Sequence, residues 1–218
     1  MLIDGALLYL GLVVLLTFHE FGHAWMARQC GDDTAQLAGR VSLNPLVHMD
    51  LLGTVILPVL MILFSMSGSG RLAGFLVGWA KPVPVNASNL RHPRVDDILV
   101  SLAGPSMNLL LAIVLVGLVR VGWAVHSPSM AVTSLDMARL SLLLFFFNLL
   151  PIPPLDGSQV VRGLSGMSYE TYHQMARFGY FILIIALQVP MVQAFLQGAT
   201  RSALAFLARC FGLEAFSP

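Results

Sequence analysis

Thr17-Phe18-His19-Glu20-Phe21-Gly22-His23-Ala24-Trp25 follows without a break on an apolar run, residues 6–16. If that run is helical, His19 and His23 are four residues apart and about 40° from eclipsed at about 100° per residue. Both imidazoles can then reach one metal ion. Glu20 sits beside the first of them, where a carboxylate can take the proton of an attacking water.

Composition makes this H-E-x-x-H spacing a poor candidate for chance: with 6 His in 218 residues, about 0.002 such matches are expected per chain. A buried polar cluster with no metal is the bland alternative. It is disfavoured because ionisable groups on an apolar helix are costly and therefore usually functional.

The surrounding composition is that of an integral membrane protein. It is 57% hydrophobic and 11% charged, with a mean hydropathy of +0.81, against roughly 25% charge in a soluble domain. The length leaves room for about five or six apolar spans and for no separate soluble domain. The expected fold is an all-α polytopic membrane protein, one domain over 1–218, with its core at about 2–163 and accessory helices at about 174–212. A formal charge of +1 gives no reason to expect a nucleic-acid partner. Cys30 and Cys210 form no C-x-x-C unit, so free, buried thiols are expected. The first residues have the apolar core of a signal peptide but no basic leader and no small-residue cleavage site, which reads as a retained helix.

Along the chain, the first helix covers about 2–27. Residues 39–50, ending in Asn44-Pro45-Leu46-Val47-His48-Met49-Asp50, suggest a short strand and a turn. Residues 51–66 contain Pro58 and read as a short, kinked span. Residues 74–86 include Lys81-Pro82-Val83-Pro84-Val85-Asn86, which must be extended because each proline biases its predecessor away from helix. Such backbone cannot face lipid, so a re-entrant, strand-like segment is expected there. Helices follow at about 96–121, where Ala103-Gly104-Pro105-Ser106-Met107-Asn108 offers small residues for close helix approach, and at about 134–148. Pro151-Ile152-Pro153-Pro154 stops the second. A last long helix at about 174–195, bent near Pro190, precedes a short amphipathic one at 201–211.

A catalytic zinc wants three protein ligands. Asp156 is the best third candidate, because it follows a helix-breaking run in a neighbourhood with little else ionisable. The competing reading is that Asp156 caps the next helix or completes an Asp-Gly turn. For the first helix and the one ending at Asn148 to meet, both must put their C-terminal ends on one side. Arg28, Arg40, Arg91, Arg94, Arg162 and Arg177 then fall on the metal side, and Arg71, Arg120, Arg139, Arg201 and Arg209 on the other. This weak bias favours a cytoplasmic metal side.

His19-Glu20-Phe21-Gly22-His23 together with Asn148-Leu149-Leu150-Pro151-Ile152-Pro153-Pro154-Leu155-Asp156-Gly157 resembles the site-2 proteases, intramembrane zinc metalloproteases. Residues 39–53 and Ala103-Gly104-Pro105 add to the likeness. The resemblance implies one zinc ion per chain, held by His19, His23 and Asp156, with Glu20 as general base and then proton donor to the leaving amine. It also implies hydrolysis of a peptide bond in or near the transmembrane segment of a single-pass protein. Asn148 maps onto an asparagine of the family's active-site region, where it could bond the scissile carbonyl; a helix-helix hydrogen bond is the alternative. The segment around Pro82 to Val85 resembles the re-entrant strands that pair with an unwound substrate.

The chain departs from many relatives in having no stretch long enough for a PDZ or CBS domain, and from some in having no apolar helix ahead of the one that bears His19. A small core of this kind points to a homodimer or a partner. A multi-pass protein of a prokaryotic inner or plasma membrane is expected. His48 could lie near the site or stabilise a turn, and His92, His126 and His173 read as ordinary interfacial residues. Two rival readings are a catalytically inactive zinc-containing scaffold that binds transmembrane helices, and a metal transporter. Glu20 argues against the first, since a structural site does not need it. The clustering of candidate ligands at one depth argues against the second.

Overall fold

The computed structural model describes residues 2–56 and 80–213, and those residues are helical apart from their connections. Helix α1 (Leu2–Gln29) is apolar on every side and free of proline, so nothing interrupts its ladder until Gly31 turns the chain with φ +104°. A single turn, α2 (Thr34–Leu37), follows. Residues 39–50 do not form the expected strand. Asn44 accepts a hydrogen bond from the Leu46 N–H at 3.1 Å and Pro45 opens a 3₁₀ turn, Pro45–Val47, so the backbone coils where alternation suggested extension. Extended pairing survives only as one antiparallel bridge, Met49 to Ala80.

Leu51–Ile56 is a π-helical turn. Most of the expected kinked span at 51–66, and residues 74–79 of the expected re-entrant segment, lie outside the described residues. The rest of that segment, 81–86, is non-helical, as its prolines require.

Helices α3 (Pro93–Ala124) and α4 (Pro128–Asn148) form an antiparallel hairpin. Both start earlier than the hydrophobic pattern indicated, because each opens with proline, whose missing N–H costs nothing in a first turn. Helix α5 (Asp156–Ser165) ends at Gly166, φ +71°. Helix α6 (Tyr169–Ala176) is capped by Ser168, which accepts from the Thr171 N–H at 3.2 Å.

The chain closes with α7 (Gly179–Gln188) and α8 (Pro190–Cys210), bent by 79° at their junction. The bend near Pro190 is thus a full break. Val189 is extended and Pro190 begins a new helix, which absorbs the separate amphipathic helix expected at 201–211.

Among the described residues, three helices are long and apolar enough to cross a membrane, Ala6–Gln29, Pro93–Ala124 and Pro128–Asn148, or four if the bent pair counts as one span. The core joins Ala112, Val116 and Val119 of α3, Ala138 and Leu142 of α4, and Leu204 and Ala208 of α8. Small residues recur in it because close packing, rather than removal from water, holds helices together in lipid. Of the two thiols expected to be buried, Cys30 is, whereas Cys210 is exposed.

Candidate metal centre

Where α1 crosses α3, a glycine stands on each helix, Gly22 and Gly104. A Cβ on Gly22 would lie 2.7 Å from the Ala103 carbonyl, so only glycine lets the backbones approach this closely. The histidines sit on this face. His19 is 5% exposed and His23 9%, and the two Nε2 atoms are 3.1 Å apart. His23 Nδ1 donates to the Val100 carbonyl at 2.7 Å, just before Pro105 interrupts the α3 ladder, which leaves Nε2 with its lone pair.

Asp156 arrives from the other direction. After α4, Leu150 and Leu155 bury themselves against Leu196, and Gly157 lets α5 begin hard against the end of α4: a Cβ there would lie 2.2 Å from the Leu149 carbonyl. Asp156 is the first residue of α5 and not its cap. The cap position is Leu155, with no side-chain hydrogen bond, so the capping alternative has no support in the geometry.

Asp156 Oδ2 lies 3.2 Å from His19 Nε2 and 3.4 Å from His23 Nε2. The three atoms make a nearly equilateral triangle. Ligands on a tetrahedral zinc, at about 2.0–2.2 Å from the ion, stand about 3.3–3.5 Å apart. Asp156 Oδ2 is moreover buried without a hydrogen-bond partner. The donor set, its spacing and the orphaned oxygen all fit a metal ion. Among the described residues, this is the one group of three His, Cys, Asp or Glu so placed. Gly104 faces it: a Cβ there would come within 2.2 Å of His23 Nε2 and 2.8 Å of His19 Cε1.

Glu20, 9% exposed, turns to the extended segment, where its Oε2 accepts from the Val83 N–H at 3.2 Å. That segment is held by Arg40, a buried guanidinium donating to the carbonyls of Val47, Lys81 and Pro82. Asn148 is the last residue of α4. Its Nδ2 donates to the Leu144 carbonyl of its own helix at 2.9 Å, which is neither of the two roles considered for it. His48 is buried in the turn, its Nε2 donating to the Ser42 carbonyl at 2.7 Å.

Three features were not legible as site residues: Gly104, Arg40, and a lock of the buried Arg162 and Asp97 with the more exposed Tyr169. Arg162 pairs with Asp97, its guanidinium lies 3.7 Å over the Tyr169 ring, and the Tyr169 hydroxyl donates to Asp97 at 3.0 Å. Burial, and then the Asp97 carboxylate, push the Tyr169 hydroxyl above its usual pKa. The available signal was simply that Arg and Asp are rarely buried unpaired.

Taken together, a bundle of apolar helices with an H-E-x-x-H helix and an aspartate converging inside it defines a membrane protein of the metallopeptidase type. The chain belongs to peptidase family M50, the site-2 protease family, whose model matches residues 7–135 and 124–187. It is 36% identical over 192 residues to "Putative zinc metalloprotease YwhC" of Bacillus subtilis, covering 84% of this chain and 81% of that protein. It is 34% identical to "Putative zinc metalloprotease Rip2" of Mycolicibacterium smegmatis, covering 83% of this chain but 66% of the relative. The Mycobacterium tuberculosis Rip2 is 31% identical, with 81% and 63% covered. No solved structure matches the chain.

Proposed function

We propose that this protein is an intramembrane zinc metalloprotease that hydrolyses a peptide bond within or near the transmembrane segment of a single-pass, membrane-anchored protein. The observation that carries this reading is the triangle of His19, His23 and Asp156 with Glu20 one residue from the first ligand. His19, His23 and Asp156 hold one zinc ion per chain. Bound there, zinc supplies a Lewis acid for the scissile carbonyl and acidifies the attacking water.

Glu20 accepts that water's proton at its carboxylate and returns it to the leaving amine. For this it must exchange the Val83 N–H for the water, so the 81–86 segment shifts or shares its donor when substrate enters. The same segment, extended and largely exposed, offers backbone groups to an unwound substrate. The amide of Asn148 turns from Leu144 to the substrate carbonyl in this reading. Residues 1–218 act as one domain, with the core at about 2–163. The full chain crosses the bilayer five or six times, including a re-entrant segment near 74–86, with the metal end towards the cytoplasm of a prokaryotic inner or plasma membrane. A homodimer would enlarge its small core.

The deciding experiment compares wild type, Glu20→Gln and Asp156→Ala for zinc content and for cleavage of a helix-broken transmembrane substrate. Wild type is expected to carry about one zinc and to cleave. Glu20→Gln should keep zinc and lose cleavage by a factor of about 10² or more, and Asp156→Ala should lose zinc. Equal zinc in all three, with no cleavage by wild type, would instead support an inactive zinc-containing scaffold.

A further inference from the structure

Asn108, one turn beyond Gly104 in α3, is 1% exposed. Its side-chain amide faces the ring of His19, with Nδ2 placed 3.1 Å from His19 Nδ1, and its Oδ1 is buried without a partner. The orientation of this amide decides which nitrogen of His19 carries the proton. With Nδ2 towards the ring, the amide donates, the ring proton sits on Nε2, and Nε2 has no lone pair to offer. Yet Nε2 is the atom that faces His23 and Asp156. With the amide turned over, Oδ1 accepts from Nδ1–H and Nε2 is left free. Amide oxygen and nitrogen are nearly indistinguishable by shape, and no hydrogen bond at Oδ1 holds the first orientation.

His23 provides the internal comparison. Its Nδ1 meets the Val100 carbonyl, a group that can only accept, so its proton is on Nδ1 and its Nε2 is free. Two histidines that both turn Nε2 to one ion must both carry the ring proton on Nδ1. Asn108 is the only neighbour placed by the described contacts to impose it on His19. Its backbone is fixed for the task from a third helix, since Ser141 Oγ of α4 donates to the Asn108 carbonyl at 2.6 Å.

We infer that Asn108 is a positioning residue of the metal centre: its amide oxygen accepts from His19 Nδ1–H and so holds Nε2 open towards the ion. This rests on the reading of His19 as a zinc ligand. It assigns a function to a buried amide that the small-residue packing of α1 on α3 does not need. Partners of metal-bound histidines of this kind typically contribute about 10–100-fold in affinity.

The test needs two measurements on the full chain in detergent. The first is the zinc dissociation constant of wild type, Asn108→Leu and Asn108→Asp, by competition with a chromophoric chelator. Asn108→Leu keeps the volume and loses the acceptor, and is expected to weaken zinc binding by about 10–100-fold; Asn108→Asp keeps an acceptor and should stay close to wild type. The second is the ¹⁵N spectrum of the ring nitrogens in metal-free wild type, which requires no variant to fold. His19 is expected as the Nδ1–H tautomer. An Nε2–H tautomer, or unchanged zinc affinity in a folded Asn108→Leu, would overturn the inference while leaving His19 a ligand. A wild type whose His19 and His23 resonances ignore added zinc would overturn the underlying reading as well.

Discussion

A single methyl group at Gly104 would fill the space into which both His19 and His23 turn. Its carbon would lie 2.2 Å from His23 Nε2, and no rotamer change of His23 relieves this without losing the 2.7 Å bond to Val100. Gly104→Ala is therefore expected to cut zinc content at least about tenfold, read by metal analysis after dialysis against a weak chelator. Thermal stability should change little, because alanine favours a helix over glycine by about 0.8–1 kcal/mol and offsets part of the crowding. A variant that keeps zinc would show that the crossing is looser than the geometry states, and one that unfolds would show that the crowding falls on the fold rather than on the site alone. The pattern Ala103-Gly104-Pro105 was legible as a close-approach site. What lay opposite was not, because the partner is His23, far away in sequence, and helical periodicity describes one helix at a time. His19, Glu20 and His23 were legible for the converse reason: their spacing alone places them on one face. Asp156 was legible by elimination and by the resemblance of the stretch from Asn148 to Gly157, and Asn148, readable as a site residue from the same motif, bonds here to the Leu144 carbonyl of its own helix.

Between residues and the whole, two elements carry the site into register. Helix α5 begins with Asp156 and is bolted to the start of α3 by Arg162, Asp97 and Tyr169. Removing one partner of a buried ion pair leaves an uncompensated charge, which costs about 3–5 kcal/mol, whereas replacing both by apolar groups is often neutral. Arg162→Met should accordingly lower the melting temperature and weaken zinc binding through Asp156, and adding Asp97→Leu should recover most of the stability.

The second element is the segment after residue 80, tied to the end of α1 by the fully buried Asp32, which accepts from the Asn86 N–H at 2.6 Å, from the Thr34 N–H and hydroxyl, and from Asn89. Burial raises the Asp32 pKa, but these donors outweigh it and hold the carboxyl below its usual range. A depressed folded pKa gives stability that is full above the ordinary carboxylate value of about 3.9 and is lost as pH falls through the folded value. Asp32→Asn should lower stability by about 1–3 kcal/mol at neutral pH, and its denaturation curve should converge on that of wild type only at strongly acid pH. A gap independent of pH would exclude the carboxylate as its source. The prolines made the extended course of 81–86 readable, but its anchoring by Arg40 and Asp32 depends on contacts across more than 40 residues, which no local pattern encodes.

At the scale of the molecule, α3 measures the distance between two faces. Val100 touches His23 at the metal end and Gly117 packs on Phe211 beyond α8, 17 residues or about 25 Å along the axis, close to a hydrocarbon core of about 30 Å. Helix α1 runs to the metal end, α3 away from it and α4 back; the bent pair starts at Gly179, against Pro153, and finishes at Cys210 on the far end. Met49 bridges to Ala80 and the Arg91 N–H donates to the Cys30 carbonyl, so Met49, Ala80 and Arg91 all lie at the metal end. The two native thiols report on this. Cys30 is buried, whereas Cys210 is exposed beside Arg209 on the far end. With the metal end cytoplasmic, a membrane-impermeant maleimide added to intact cells should label Cys210, and a Cys210→Ser variant should lose the label. A thiol placed by Ser168→Cys at the exposed start of α6, in the Cys210→Ser background, should react only after permeabilisation. The reverse pattern would invert the orientation and leave the fold intact. Labelling of both from outside would contradict the placing of Ser168 and Cys210 at opposite ends, and with it the arrangement that brings Asp156 to the histidines of α1.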